Sequence, residues 1–350
     1  MKQLAVVQAR VDARDYVSEE AFRRKVYRLL EMVRERADPD PSLPLLVAFP
    51  EDIGTPCAFL GEKELIEREQ TLAGAIRYML RRRYRPALWR RIRHRVSWIR
   101  ALFLLQADLI ARTYITTFSR AARDFRAYLV AGSTVLPELD SGEQAPPAAV
   151  YNVSYVFDPQ GRVIGRQQKV HLTEIEERGA LDLTPGDLEK LRVVDTPVGR
   201  LGVAICYDGF FDDVRSRLLA QGAQVLVQPS ANPGVWSVEQ QIDWLNGAWK
   251  ATLPPGEPAS LPAREIPEAD RENAGVPPST GFQLALNPML VGRLFDLEFQ
   301  GQSSIIRSHG EFAGDVRDGC PSYQGCPGRP GFVRVAASPT EEEVLVARIE

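Results

Sequence analysis

The stretch Leu201-Gly202-Val203-Ala204-Ile205-Cys206-Tyr207-Asp208 reads as a strand buried on both faces that delivers a cysteine to a turn, with a helical pattern over Asp212–Gln221 after it. Two other segments end in a similar way. Leu45-Leu46-Val47-Ala48-Phe49-Pro50-Glu51 is an apolar strand that runs into a carboxylate, and Pro50, with no N–H to give to a ladder, stops it there. Gly165-Arg166-Gln167-Gln168-Lys169-Val170-His171-Leu172 is a strand that leads to a lysine. In α/β sheets the strand ends are where chemistry is usually placed.

Outward from these segments, further β-type runs appear at Leu4–Gln8, Tyr128–Ala131, Asn152–Phe157, Val163–Lys169, Val225–Gln228, Phe282–Leu286, Ser303–Ile306 and Val344–Ile349. Asp158-Pro159-Gln160-Gly161 between two of them predicts a hairpin turn. Ser18–Arg36 carries Phe22, Val26, Leu29, Leu30 and Val33 at helical spacing, with Ser18 as the N-cap. Strands that alternate with helices, together with hairpin pairs, predict an α/β sandwich with the helices outside.

Each of the three strand-end residues has a task in cleaving an amide. A thiol must lose its proton before it attacks a carbonyl. A carboxylate in a partly desolvated pocket has a raised pKa and takes that proton. An ammonium stabilises the tetrahedral oxyanion, an effect on the order of 3 kcal/mol. Cys206, Glu51 and Lys169 therefore form a toolkit that needs no histidine. The chain has only three histidines, and His171 is the one near these segments, two residues beyond Lys169 and on the same face if the strand continues. A Cys–His pair is the alternative it offers. Taken singly, each residue has an ordinary reading: a core cysteine, a solvated lysine, a surface carboxylate.

Phe49-Pro50-Glu51, Lys169-Val170-His171-Leu172 and Ile205-Cys206-Tyr207-Asp208 resemble, in order, the three signature blocks of the nitrilase, or carbon–nitrogen hydrolase, family in its amidase-like branch. Tyr128–Ser133, Tyr151-Asn152, Pro185-Gly186, Gln228–Pro233 and Gly301–Ile306 also resemble family segments. The resemblance implies a four-layer α-β-β-α sandwich assembled as a homodimer or larger homo-oligomer. It implies Glu51 as general base, Lys169 as oxyanion stabiliser and Cys206 as nucleophile. The reaction would pass through a thioester on Cys206 and release ammonia or an amine from a small amide or carbamoyl compound. Acyl transfer, nitrile hydrolysis and a catalytically silent binding scaffold are the alternatives.

The resemblance also implies a second glutamate after the lysine, for which Glu177 is the first choice, ahead of Glu176 and Glu174. Tyr207 is expected to aim its backbone N–H at the oxyanion, and Asn232 and Trp236 to wall the pocket. Two features depart from the family. Gly209-Phe210-Phe211-Asp212 stands where many amidases carry an arginine and Phe-Pro-Glu. Tyr207 follows the cysteine where nitrile-cleaving members usually have tryptophan, which favours amide or carbamoyl substrates.

The chain is read as a single hydrolase domain over residues 1–350, with a helical insertion at 61–120 and a surface loop or lid at 252–279, a stretch rich in Pro, Glu and Ala. Residues 61–127 read as almost continuous helix, with ten arginines between Arg77 and Arg100. Leu88, Ile92, Val96, Ile99 and Phe103 recur at helical spacing among them. Such a segment packs on the domain or a subunit interface, lies on an anionic membrane through residues 77–105, or binds a polyanion. Nucleic acid is disfavoured because no recognised motif accompanies the charge.

The remaining composition is ordinary. The 350 residues are 44% hydrophobic and 25% charged, with a formal net charge of -3. Neither nucleic acid nor anionic lipid is attracted by the chain as a whole. Four cysteines do not make a disulfide framework, and Cys320 and Cys326 are read as reduced thiols. No signal peptide or membrane span is expected, nor any metal or cofactor, and the expected location is cytoplasmic, with peripheral contact at the inner membrane face through the basic segment.

Overall fold

The structure is a computed structural model that describes residues 1–138, 148–179, 181–253, 281–308 and 331–350. Most of the expected lid, and Cys320 and Cys326, lie outside the described residues. In chain order the first elements are β1 (Lys2–Asp12), α1 (Glu19–Arg36), β2 (Leu45–Ala48), α2 (Lys63–Arg68), α3 (Leu72–Arg82), α4 (Tyr84–His94) and α5 (Trp98–Phe125). Then come β3 (Tyr128–Val130), β4 (Thr134–Pro137), β5 (Val150–Phe157), β6 (Val163–Gln168), β7 (Val194–Thr196), β8 (Gly199–Val203) and α6 (Asp212–Ala220). The last are β9 (Val225–Val227), β10 (Ser230–Ala231), α7 (Val238–Trp244), α8 (Ala248–Ala251), β11 (Leu284–Asn287), β12 (Met289–Leu294), β13 (Leu297–Phe299), β14 (Ser304–Arg307), β15 (Phe332–Val335) and β16 (Glu343–Ile349).

Two mixed sheets form. One runs β10-β12-β1-β2-β3-β5-β4, with β13, β16 and β6 added on β12, β1 and β5; the other runs β15-β14-β11-β9-β8-β7. β1 shows how the layers arise. Its even positions Leu4 and Val6 belong to the core that also holds Leu201, Val203 and Val225 of the second sheet. Its odd positions Ala5, Val7, Ala9 and Val11 pack with Phe22, Leu29 and Phe118 of α1 and α5. A period of two thus gives a sheet two apolar faces, one for its partner sheet and one for helices. The second sheet is covered by α6 through Val214 and Leu218. The result is the α-β-β-α sandwich.

Helix α1 starts where expected: the Ser18 hydroxyl accepts from the Ala21 N–H at 3.1 Å, and Phe22, Val26, Leu29, Leu30 and Val33 are buried. The β5–β6 turn also forms as read, with the Asp158 carboxylate accepting from the N–H of Gln160 and Arg162.

The long basic segment differs from the expected continuous helix. It is cut at Glu69, at Arg83 and at Arg95, whose backbone is left-handed with φ 55°. Ser97 then caps a new helix by accepting from the Arg100 N–H. The apolar series is therefore split. Phe103 is buried in α5, whereas Ile92 stands on α4 with 66% of its surface exposed. A stripe at perfect helical spacing does not reveal a chain reversal in its middle. The hairpin β12–β13 and the short strands β4, β7 and β15 were likewise not anticipated, because two to six residues at a sheet edge carry little periodic signal.

Gly132 fixes the approach to the first strand end. Its φ is +69°, and a Cβ there would lie 2.0 Å from the Pro50 carbonyl oxygen, so the Pro50–Glu51 turn packs against bare backbone.

Phe118 of α5 is fully buried and meets the rings of Phe22, Phe49, Tyr114 and Phe157. Replacing Phe118 by Ala is expected to lower unfolding stability by about 3–5 kcal/mol. Replacement by Leu should cost less than half of that in the same urea titration.

Candidate active site

The three strand ends converge, and they do so at the seam between the sheets. Glu51 follows β2 and Lys169 follows β6, both in the first sheet. Cys206 follows β8 of the second sheet, and the chain from β9 to β10 crosses from the second sheet to the first. The Cys206 N–H is tied to that crossing by a 2.8 Å bond to the Pro229 carbonyl. Cys206 itself has φ 47°, a left-handed conformation rare for a residue with a side chain. The strand end is thus bent sharply at the sulfur, a strained turn of the kind that concentrates at functional sites.

Lys169 lies at the centre, with 2% of its surface exposed. Its ammonium donates to Glu51 Oε1 at 2.8 Å and pairs with Glu176 Oε2 at 2.7 Å. The Asn152 side-chain amide donates to Glu51 Oε1 and Glu176 Oε1, each at 3.0 Å. Ala231 joins the thiol to this group: its N–H donates to Glu51 Oε2 at 3.1 Å, and its carbonyl accepts from Cys206 Sγ at 3.8 Å. Carboxylate and sulfur therefore both bind the backbone of one residue.

The electrostatics divide the two carboxyls. Burial pushes Glu51 up to about 8, with the Lys169 ammonium opposing the shift. Burial also works to raise Glu176, but the Lys169 charge and hydrogen bonds from Lys169, Thr173 and Asn152 outweigh it, and the net shift is downward. Burial disfavours the Lys169 ammonium, yet Glu176 and Glu51 together hold its pKa well above the usual value. Burial pushes the Cys206 thiol up, and the Glu51 charge adds to this while Lys169 opposes it. Glu176 is thus the standing counter-ion of Lys169, and Glu51 is the group that exchanges a proton near neutral pH.

Among the expected residues, Glu177 takes no part: its side chain is exposed, and Glu176 on the inner side of the same turn reaches Lys169. Thr173 decides between the neighbours, because its N–H and hydroxyl both donate to Glu176 Oε2, at 2.9 and 3.0 Å. Nor does His171 share a face with Lys169. The ladder ends at Gln168, and the buried Asp208 carboxylate accepts from the N–H of Val170 and His171 and turns the chain. His171 then stacks on Phe211 with ring centroids 3.8 Å apart and pairs with Asp213 at 3.0 Å. Burial raises the Asp208 carboxyl to about 6.

Tyr207 packs its ring edge-on to Phe211 at 4.9 Å. Asn232 and Trp236 are buried next to Ala231 but are held by Gln300 and Gln302, not by the charged cluster: the Asn232 amide donates to the Gln300 carbonyl at 3.1 Å, and the Trp236 indole donates to Gln302 Oε1 at 3.0 Å. Gly209 leaves room for Gln228, whose amide donates to the Cys206 carbonyl at 2.8 Å; a Cβ on Gly209 would lie 2.2 Å from it. Sequence reading missed Asn152, Asp208 and Gln228 as parts of the site. Asn152 gave a signal that went unused, a polar amide inside the otherwise apolar run Val150-Tyr151-Asn152-Val153. Among the described residues no group of His, Cys, Asp and Glu is arranged to hold a metal ion.

A sandwich of two such sheets corresponds to a known fold. Residues 96–250 match the carbon–nitrogen hydrolase family. The chain is 34% identical over 149 residues to the omega-amidase NIT2-B of Xenopus laevis, covering 39% of this chain and 50% of that protein. It is 33% identical over 149 residues to the human omega-amidase NIT2, with the same coverage. The chain thus spans about half the length of these curated relatives. In fold it is similar to a carbon–nitrogen hydrolase from Helicobacter pylori G27, with TM-score 0.58 and 18% identity over 99% of this chain and 88% of the other. It is also similar to Saccharomyces cerevisiae Nit3, a member of branch 10 of the nitrilase superfamily, with TM-score 0.55 and 18% identity over 99% and 89%. The chain is thus similar to carbon–nitrogen hydrolases in sequence over residues 96–250 and to the solved structures in fold. Lys169, Glu176 and Cys206 fall inside the matched residues, while Glu51 lies upstream of them.

Two outcomes follow from the charge arrangement. Glu176→Gln should destabilise the fold by about 3 kcal/mol, because it removes one partner of a buried ammonium; Glu177→Gln should stay within about 0.5 kcal/mol. The folded protein keeps a proton on Glu51 up to about pH 8, whereas the unfolded chain releases it near 4.5. That contribution is therefore complete below pH 4.5 and is lost as pH rises through 8. The stability advantage of the wild type over Glu51→Gln should shrink between pH 5 and pH 9 in urea titrations.

Proposed function

We propose that the protein hydrolyses a non-peptide amide or carbamoyl C–N bond through a thioester on Cys206. The observation that carries this reading is Ala231 held between Glu51 and the Cys206 thiol, with the Lys169 ammonium on the same carboxylate. Glu51 accepts the thiol proton as sulfur attacks the carbonyl carbon, and Lys169 stabilises the oxyanion. The proton on Glu51 passes to the nitrogen, the C–N bond breaks, and ammonia or an amine leaves. Water then gives a proton to Glu51 and its oxygen to the thioester carbon, releasing the acid and restoring the thiol. Glu176 acts as a positioning residue that keeps Lys169 charged and in place. The relatives named omega-amidase support an amide as the substrate, as does Tyr207 after the nucleophile.

A panel of small primary amides, followed by ammonia release, tests the reading. Cys206→Ala should lower kcat/KM by at least 10⁴-fold. The kcat/KM of the wild type should rise with pH toward a plateau above about 8, since the base must be unprotonated. Turnover that survives Cys206→Ala, or the lack of any acyl adduct on Cys206 by mass spectrometry, would refute the mechanism. Products formed with added amines separate hydrolysis from acyl transfer.

A second proposal concerns the outer face of the insertion, which we read as a contact for anionic membrane. Trp89 and Ile92 are 58% and 66% exposed on α4. Arg81, Arg82, Arg85, Arg91 and Arg93 are exposed on the same stretch. Aromatic and aliphatic side chains among arginines suit a headgroup layer. No helix among the described residues is long and apolar enough to cross a membrane. Trp89→Ser with Ile92→Ser should reduce co-sedimentation with phosphatidylserine vesicles at least fivefold at low salt. Binding equal to the wild type would overturn this proposal.

A further inference from the structure

The inner face of the same insertion lines a partly open cavity of about 120 Å³. Leu72, Ile76 and Met79 of α3 and Leu102 and Phe103 of α5 form one wall, and the β12–β13 hairpin forms the wall opposite. Of the few polar residues on the lining, the Thr55 hydroxyl donates to Asp52 at 2.6 Å and the Gln106 amide donates to the Ala58 carbonyl at 2.9 Å. Their donors are engaged within the protein, so the space offers little to hold water. Protein interiors are close-packed, and a void of this size sacrifices contacts around its whole lining. The insertion borders the space without filling it.

None of Glu51, Lys169, Glu176 and Cys206 lines the cavity, but three residues that do belong to segments that carry the cluster. Asp52, on its wall, directly follows Glu51 in the chain. Leu181, on its wall, closes the turn that carries Glu176 by a bond from its N–H to the Ile175 carbonyl. Phe299, on its wall, bridges to Pro233 and Gly234, just beyond Ala231. Each segment that presents a polar group to Lys169 or Cys206 from these directions thus has a neighbour facing the apolar space.

We propose that this cavity receives the apolar acyl chain of the substrate, while the amide carbonyl lies at Cys206. A cavity of about 150 Å³ takes up benzene, so the matching group is a hydrocarbon of about six carbons. The acyl side is assigned because that half stays on sulfur while the amine departs and water enters; an anchored chain keeps the thioester in place during the exchange. The assignment rests on the hydrolase reading for the role of the chain, but not for the binding of a hydrocarbon.

The test has two arms. In the first, kcat/KM is measured for straight-chain primary amides from propanamide to decanamide, with the wild type, Ile76→Trp and Leu102→Phe. The wild-type values should rise about fourfold per added methylene up to about six carbons and then level or fall. Both variants should turn over propanamide like the wild type and lose at least tenfold on hexanamide. A flat chain-length profile, or one the variants leave unchanged, overturns the proposal while leaving amide hydrolysis intact. In the second arm, 1-hexanol binding to Cys206→Ala is followed by calorimetry. Saturable binding that Ile76→Trp removes supports the cavity as a hydrocarbon site even if no amide is hydrolysed. No saturable binding, or binding that Ile76→Trp leaves unaltered, counts against it.

Discussion

A single ammonium, that of Lys169, sits almost without solvent between two carboxyl groups, those of Glu51 and Glu176. An unpaired charge in such a place would cost several kcal/mol, and the interaction offsets that only when its geometry is well satisfied. The surrounding structure reads as the set of constraints that achieve this. β2 must end at Glu51, and β5 must present Asn152 to both carboxylates. The chain after β6 must turn, pinned by Asp208, so that Lys169 faces inward while His171 faces away. A shift of one residue in the pairing of β5 with β6 would send these side chains to the opposite face. Register in the first sheet and charge pairing at its end are therefore mutually dependent.

The unequal treatment of the two carboxyls gives the cluster its chemical direction. Glu176 receives donors from Thr173 as well as from Lys169 and Asn152, and it stays ionised. Glu51 shares Lys169 and Asn152 but is raised by burial to about 8. Two groups of one type acquire opposite pKa shifts from their surroundings alone. The bent backbone at Cys206 sets its sulfur toward the Ala231 carbonyl, and the Ala231 N–H binds Glu51.

The insertion makes the outer helical layer unlike a plain cover. It is tied to the turn after Glu176, where Arg100 pairs with Asp182 at 3.0 Å and the Ser97 N–H donates to the same carboxylate at 3.2 Å. Its α3 and α5 helices turn apolar side chains toward the first sheet, while α4 stands away from it with arginines outward. The two faces carry different chemistry because the chain reverses at Arg95, which separates Ile92 from Ile99 in space although the sequence keeps them in one series.

Much of the fold could be read from local pattern. The buried runs around Leu46, Val203 and Leu226, the amphipathic face of α1 and the turn at Asp158–Gly161 all depend on spacing within a few residues, and each formed as read. The strand ends at Glu51 and Cys206 were legible too, because each follows the stop of an apolar run; Lys169 ends a polar run and gave no such signal. What the sequence did not determine was which of several adjacent polar residues faces inward. Glu176 rather than Glu177, the outward turn of His171, and the part played by Asn152 were decided by bonds between segments from 24 to 101 residues apart and by the turn that Thr173 closes. Spacing along a chain sets the face of a regular helix or strand. Beyond the last ladder bond only the tertiary packing sets a side chain's direction, and His171 and Glu176 lie past that point.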